Sequence, residues 1–495
     1  MPKEKSLKQK TIKGLIWSFG DLVANQGIQF IIQIILARLL LPEHFGLVGM
    51  ILVFIAISNT IIDGGISQAL IREQKVNQTD YSTVFYFNLL MACAVYVTLF
   101  SLAPFISNFF NESQLVLILR VLSLGLIINS FSIIQRVQLT KKLDFRKQTQ
   151  ISVAAGVLSG GIAIVFASLG FGVWAIIINN LTIQIIQGLL LWILNGWRPS
   201  LEFDYTSFKR LFNFGSKLLL ASVISTIYSN LFYVLIGRMY SPGQLGYYTN
   251  AVKLSDTASQ SLTIALQRVT YPVFSSIQDN QEILKYNFRR TIKITTFINF
   301  PMMAGLATVA PSLINLLFGD KWMAMVIYFQ LLCLSGMLFH LHAINLNILQ
   351  VKGRSDLFLQ LSIIKKIIFT LLILVAIWSD LGIIGLIVAS IIDSCIAFLI
   401  NTYYSGKEIS YSSFEQLRDI ILISLNTLIM AITVYVSASL LPDFLLLKLL
   451  LQILLGCFVY IAMSKLTRVQ ELMEVWQIII SIVGKYYKKV ELTSK

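Results

Sequence analysis

The chain has 495 residues, of which 56% are hydrophobic and only 13% charged, and its mean hydropathy is +0.76. That is more apolar surface than a soluble core of this length can bury, which excludes an ordinary soluble globular protein. The 39 Lys and Arg against 24 Asp and Glu, a formal charge of +15, must then lie largely outside a hydrocarbon layer.

Apolar runs of about 20 residues, each able to cross a ~30 Å hydrocarbon core at ~1.5 Å per residue, recur along the whole sequence. In chain order they predict fourteen spans: 13–37, 45–70, 82–108, 115–138, 148–168, 171–194, 213–237, 246–275, 290–317, 324–350, 358–378, 382–404, 417–440 and 444–466. A membrane β-barrel would show ~10-residue alternating segments instead. The expected fold class is an all-α integral membrane protein with 14 transmembrane helices.

Charge placement supports that count. Fourteen crossings put both termini on one side, and 32 of the 39 basic residues then fall on that side, from Lys3 to Lys495. The opposite loops hold only Arg38, Arg238, Lys321 and Lys448, as expected for a positive-inside chain with cytoplasmic termini. The charge thus reads as topology and attraction to anionic lipid, with no basic folded domain of the kind that binds nucleic acid. The basic start MPKEKSLKQKTIKG precedes an apolar run without a small-residue cleavage site, so a retained first helix is expected. Cys93, Cys333, Cys395 and Cys457 lie in apolar runs with no ligand spacing, so neither a disulfide framework nor a metal site is expected. Residues 469–487, with Glu471 and Glu474 against Leu472, Trp476 and Ile480, read as an interfacial amphipathic helix.

An internal repeat organises the chain. RLLLPEHFG at 38–46 recurs as RMYSPGQLG at 238–246, an Arg-x3-Pro-x3-Gly device that closes one span and opens the next. The 200-residue offset is six crossings, so the two copies point the same way. LGFGVWA at 169–175 and LGIIGLIVA at 381–389 are weaker echoes. The expected organisation is two six-helix lobes related by a parallel repeat, 1–200 and 201–410, followed by two C-terminal helices and the cytoplasmic tail, 411–495. Arg38 and Arg238 have two readings: helix-end caps that snorkel beside a proline turn, or a cationic rim at the outer mouth.

LARLLLPEHFGLVGM at 36–50 and DGGISQALIREQ at 63–74 resemble the N-terminal signature of Wzx-type bacterial polysaccharide exporters. ALQRVTYPVFSSIQDN at 265–280 and PSLINLLFGDKW at 311–322 resemble the C-terminal half of the same family. Its lipid-linked oligosaccharide flippases share a superfamily with the multidrug and toxic-compound extrusion transporters. The resemblance implies an undecaprenyl-diphosphate-linked sugar repeat unit as substrate, moved across the bacterial inner membrane for lipopolysaccharide, capsule or exopolysaccharide assembly. Membrane lipids, a polysaccharide polymerase and a chain-length regulator are the expected partners.

Such a carrier needs a hydrated, polar cavity, marked by intramembrane polar residues. Lys253, Asp256, Gln260, Thr263 and Gln267 fall on one face of the eighth span, with Arg268 beside them. Asp21, Asn25, Gln29 and Gln33 recur every four residues on the first, and further polar groups are Asn59, Asp63, Arg120, Asn129, His340, Asn347 and Asp393. Lys253, Arg268, Arg120, Gln260, Gln267, Asn25 and Gln29 are candidate substrate contacts. Asp21, Asp63, Asp256 and Asp393 are candidates for proton or sodium coupling.

Each has a structural alternative. Lys253 and Asp256 can neutralise one another, Arg120 can snorkel, Asp63 can serve the Gly64-Gly65 turn, His340 can be a packing residue, and the Gln series can tie helices together. No paired carboxylates, metal cluster or phosphate loop appears, so no enzyme and no cofactor are expected. A multidrug exporter or a membrane polymerase are the competing classes; short outer loops weigh against the polymerase.

Overall fold

The computed structural model describes residues 24–442 and 444–477, together with Gly20 and Ile480. Regular secondary structure among them is helical. Twelve segments among the described residues are long and apolar enough to cross a membrane, and the protein is a multi-pass membrane protein. The helices form two compact units, one reaching to Thr249 and one from Asn250 onward.

The first unit holds α1 (24–39), α2 (Pro42–Asp63), α3 (Ile66–Arg72), α4 (Gln78–Phe110), α5 (Leu115–Lys141), α6 (Phe145–Ser168), α7 (Val173–Asn195), α8 (Tyr205–Ser229) and α9 (Leu231–Met239). The first two turns of α10 (Pro242–Ser276) complete it. With no hydrophobic drive between helices in lipid, close packing needs small residues. Gly156 and Gly160 of α6 supply it against α1, where a Cβ on Gly160 would fall 2.2 Å from Ile32. Polar side chains tie α5 to the end of α7: Asn195 donates to Gln135 at 2.6 Å and to Gln138 at 3.1 Å.

Two local features shape this unit. Gly64 and Gly65, with φ of +59° and +69°, break what would be one long helix into α2 and α3. The broken corner lies against α8, where a Cβ on Gly65 would come 2.5 Å from the Gly215 carbonyl oxygen. The repeated device also meets itself. A Cβ on Gly46 would lie 1.7 Å from the Pro242 carbonyl oxygen, and one on Gly246 would lie 1.8 Å from that of Pro42. The starts of α2 and α10 therefore pack backbone to backbone and reciprocally, each glycine under the other copy's proline. At α8, Asp204 caps the helix by accepting from the Ser207 hydroxyl and the Ser207 and Thr206 amides, which holds its carboxyl below the usual range.

The second unit holds the rest of α10, α11 (Gln281–Phe318), α12 (Met325–Val351), α13 (Ser355–Trp378), α14 (Gly382–Ile409), α15 (Ser413–Ser437), α16 (Leu445–Leu466) and a short helix, α17, at 470–477. One apolar core joins Phe288 and Ile292 of α11 with Ile344 and Ile348 of α12 and Tyr411. A second joins Phe297 to Met430 and Tyr460. His340 is fully buried against α11, bonded to Thr296 at 3.1 Å and Asn299 at 2.9 Å, so its structural reading holds. The described part of the tail is also placed. Lys293 pairs with Glu471 and Arg290 with Glu474, leaving Met473 and Trp476 exposed on the far side of α17. The rest of the predicted tail helix lies outside the described residues.

Candidate functional site

A cavity of about 540 Å³ opens in the first unit, walled by α2, α3, α5 and α7. Asn59 and Asp63 enter it from α2 and Ser67 from α3; Asn129, Arg136 and Thr140 come from α5, and Gln184 and Gln187 from α7. The helix break sets the geometry, since the turn at Gly64-Gly65 keeps Asp63 at the end of α2 and brings Ser67 back over it. The Ser67 hydroxyl donates to the Asp63 carboxylate.

On the opposite wall the polar groups form a chain. The Arg136 guanidinium donates to Asn129 Oδ1 at 2.8 Å, and Asn129 Nδ2 donates to Asn59 Oδ1 at 3.0 Å. Asn59 in turn donates to the Ile55 carbonyl at 3.0 Å, closing the chain on the backbone of α2. Asn129 and Arg136, seven apart, share one face of α5; Gln184 and Gln187, three apart, share one face of α7. The cavity thus presents a guanidinium, a carboxylate and a series of amides between helices that are otherwise apolar. That set suits a ligand carrying both an anion and many hydroxyls.

Asp63 lies in the cavity, and Asn59 and Asn129 lie there with it. Asp63 also ends α2 at the glycine break. Arg120 sits elsewhere, stacked 4.1 Å over the Phe100 ring of α4, and is not part of the cavity lining. Asn25 and Gln29 are half-buried on α1; Gln29 Nε2 is buried without a hydrogen-bond partner among the described residues. Arg238 stacks 5.4 Å over Phe109, and Asn111, with its amide oxygen turned inward, accepts from its guanidinium at 2.8 Å. Arg38 is exposed at the end of α1.

In the second unit Lys253 is exposed and Asp256 accepts a hydrogen bond from Gln260 one turn on. Within the stripe Thr263 is 2% exposed and donates to the Ser259 carbonyl. Gln267 is half-buried. Asp393 has a buried Oδ1 with no hydrogen-bond partner among the described residues and lies within electrostatic reach of Lys365. Lys365 donates to Asn401 at 3.1 Å. Asp21 and the side chain of Arg268 lie outside the described residues.

Sequence reasoning missed Arg136, Ser67, Gln184 and Gln187. In the sequence Arg136 counts as one more inner-side charge, and its signal is the seven-residue spacing from Asn129. The glutamines carried a three-residue spacing on one span but no charge to draw attention to them.

Residues 35–327, more than half of the chain, match the family described as polysaccharide biosynthesis protein. The chain belongs to this family. The matched segment includes both copies of the Arg-x3-Pro-x3-Gly device and every residue named in the cavity. Within 417 residues, covering 83% of this chain and 84% of the relative, it is 27% identical to the lipopolysaccharide biosynthesis protein WzxC of Escherichia coli (strain K12). Its fold is similar to that of the lipid II flippase MurJ in an inward closed conformation. The TM-score is 0.74 at 17% identity, over 92% of this chain and 98% of that one. A multidrug resistance MATE family transporter of the MOP superfamily, in its inward-facing conformation, superposes with a TM-score of 0.61 at 18% identity. That match spans 79% of this chain and 94% of the transporter. This chain thus has the helical fold of these two solved structures.

Proposed function

We propose that this protein is a flippase that carries an undecaprenyl-diphosphate-linked oligosaccharide repeat unit across the bacterial inner membrane, supplying lipopolysaccharide, capsule or exopolysaccharide assembly. The observation that carries this reading is the cavity of Asn59, Asp63, Asn129, Arg136, Gln184 and Gln187 inside a bundle of membrane helices. Its amides and carboxylate match sugar hydroxyls, and its guanidinium matches a phosphate. Family membership and the similarity to WzxC support the polysaccharide context.

In this reading the chain crosses the membrane fourteen times with cytoplasmic termini, α1 and α10 joining the twelve apolar segments. Residues 1–200 and 201–410 are the two lobes that rock against one another, and 411–495 adds the last two helices and tail. The headgroup occupies the polar cavity while the polyprenyl chain stays in lipid, so the protein moves its substrate without making or breaking a covalent bond. A proton or sodium gradient drives the cycle through Asp63, Asp256, Asp393 or Asp21. A polymerase and a chain-length regulator receive the product.

The test is translocation of a fluorescent lipid-diphosphate-linked oligosaccharide in proteoliposomes, read by its accessibility to a membrane-impermeant quencher, with and without each gradient. Protein-dependent movement supports the flippase. If the lipid stays in its leaflet while small organic cations cross, the protein is a drug exporter instead.

A further inference from the structure

A second cavity, of about 520 Å³, lies in the first unit on the other side of α3. Ser67 and Ile71 of this seven-residue helix line the polar cavity described above, whereas Ala69 and Arg72 line the second one. α3 is therefore a partition one helix thick between the two. The second cavity has a different character: Arg72 and Lys75 enter from the end of α3 and the following loop, Arg210 and Phe214 from α8, and Glu73 and Gln74 complete the rim.

The positions of the cations are fixed by what holds them. The Arg72 guanidinium stacks 4.4 Å over the Phe214 ring, which uses its π face and leaves its N–H edges for a ligand. Arg210 donates to the buried Asp80 carboxylate at 2.7 Å and remains half exposed. Lys141 is committed to the backbone, bonding the carbonyls of Leu70 and Glu73, and so pins the loop that presents Lys75. Arg72 and Lys75 are exposed, and neither forms an ion pair among the described residues. Three cations thus converge on one recess against the single carboxylate of Glu73, with Asp80 already answered by Arg210.

We propose that this recess binds a phosphate or diphosphate group carried on a lipid, held by Arg72 and Lys75 with Arg210 behind them. A planar guanidinium fixed on an aromatic ring next to a point-charge ammonium is the pairing that grips phosphate oxygens from two directions. The same chemistry is carried by the diphosphate of a polyprenyl carrier and by the headgroup of an anionic phospholipid. Assigning the recess to the carrier rests on the flippase reading; the phosphate site itself rests on the cations. In the carrier case it is a loading station beside the cavity of Asp63 and Arg136, separated from it by α3.

The experiment measures binding to the purified full-length protein by native mass spectrometry and isothermal calorimetry, with farnesyl diphosphate, phosphatidylglycerol and inorganic pyrophosphate as separate probes. The variants are R72Q/K75Q, whose positions are exposed and whose loss leaves Asp80–Arg210 intact, and the charge-keeping R72K. At least a tenfold loss of affinity for farnesyl diphosphate in R72Q/K75Q, with partial recovery in R72K, supports the site, and added salt weakens the wild-type binding. Preference for farnesyl diphosphate over phosphatidylglycerol assigns the site to the carrier, and equal binding of the two assigns it to bulk lipid. Binding that is unchanged in R72Q/K75Q, or no binding of any phosphate probe, overturns the proposal. Wild-type translocation in proteoliposomes, run alongside, separates that failure from a failure of the flippase reading.

Discussion

Arg136 is the side chain on which the polar cavity turns, because it supplies the positive charge there and begins the hydrogen-bond chain through Asn129 to Asn59. Replacing it with Gln keeps a donor for Asn129 but removes the charge. A charge-assisted hydrogen bond is worth about 1.5–3 kcal/mol, so R136Q should slow translocation by roughly tenfold or more while leaving the thermal unfolding midpoint within a few degrees of wild type. Initial rates in proteoliposomes, with unfolding followed by intrinsic fluorescence, check both halves; a normal rate in a folded variant removes Arg136 from the substrate path. Asn59, Asp63 and Asn129 were legible in the sequence because a polar group in an apolar run is costly wherever it sits. Arg136 was not, because near a helix end a cation serves topology as readily as binding, and sequence alone does not say which way it points. Arg120 illustrates the converse: its charge costs more in an apolar run than the Asn129 amide, yet it stacks on the Phe100 ring and lies outside the cavity lining.

Among the elements, the starts of α2 and α10 are the most tightly constrained. Each glycine of the repeated device meets the backbone of the other copy's proline, at separations that leave no room for a methyl group. Backbone cannot yield as a side-chain end can, so G46A and G246A should each cost about 1–3 kcal/mol and cut transport severely, with effects of similar size because the contacts are reciprocal. G161A is the control, since nothing lies within 4 Å of the position its Cβ would take. Thermal midpoints and transport rates of the three variants decide it; a silent G46A would mean that the contact is not held during the cycle. The sequence displayed the repeat and its proline turns, but spacing carries no information on which segments meet, so the reciprocal contact had to be seen in space. The break between α2 and α3 was half legible: paired glycines announced an irregularity, and their contact with Gly215 explains why it sits there.

At the scale of the whole chain, the open quantity is the number of crossings, and it hangs on α1 and α10, which fall outside the twelve apolar segments. α10 is the sharper case, because Lys253, Asp256, Gln260 and Gln267 dilute its hydropathy over 35 residues. A polar helix of that length crosses a membrane only if its polar groups face protein or a hydrated lumen. The charge distribution favours crossing: Ser241 before α10 has only Arg238, at the end of α9, for a basic neighbour, whereas Gln278 after α10 precedes Lys285, Arg289, Arg290 and Lys293. Single cysteines at Ser113, Ser241 and Asp320 should therefore react with a membrane-impermeant maleimide in intact cells, and those at Gln74, Gln278 and Lys352 only after permeabilisation, with the four native cysteines replaced. If Ser241 and Gln278 label from the same side, α10 does not cross, every loop beyond it inverts, and the basic residues of α11 would face outward against the positive-inside bias. Opposite labelling gives α10 its crossing and makes Lys253 and Asp256 true intramembrane charges, whose cost then calls for a hydrated path through the second unit.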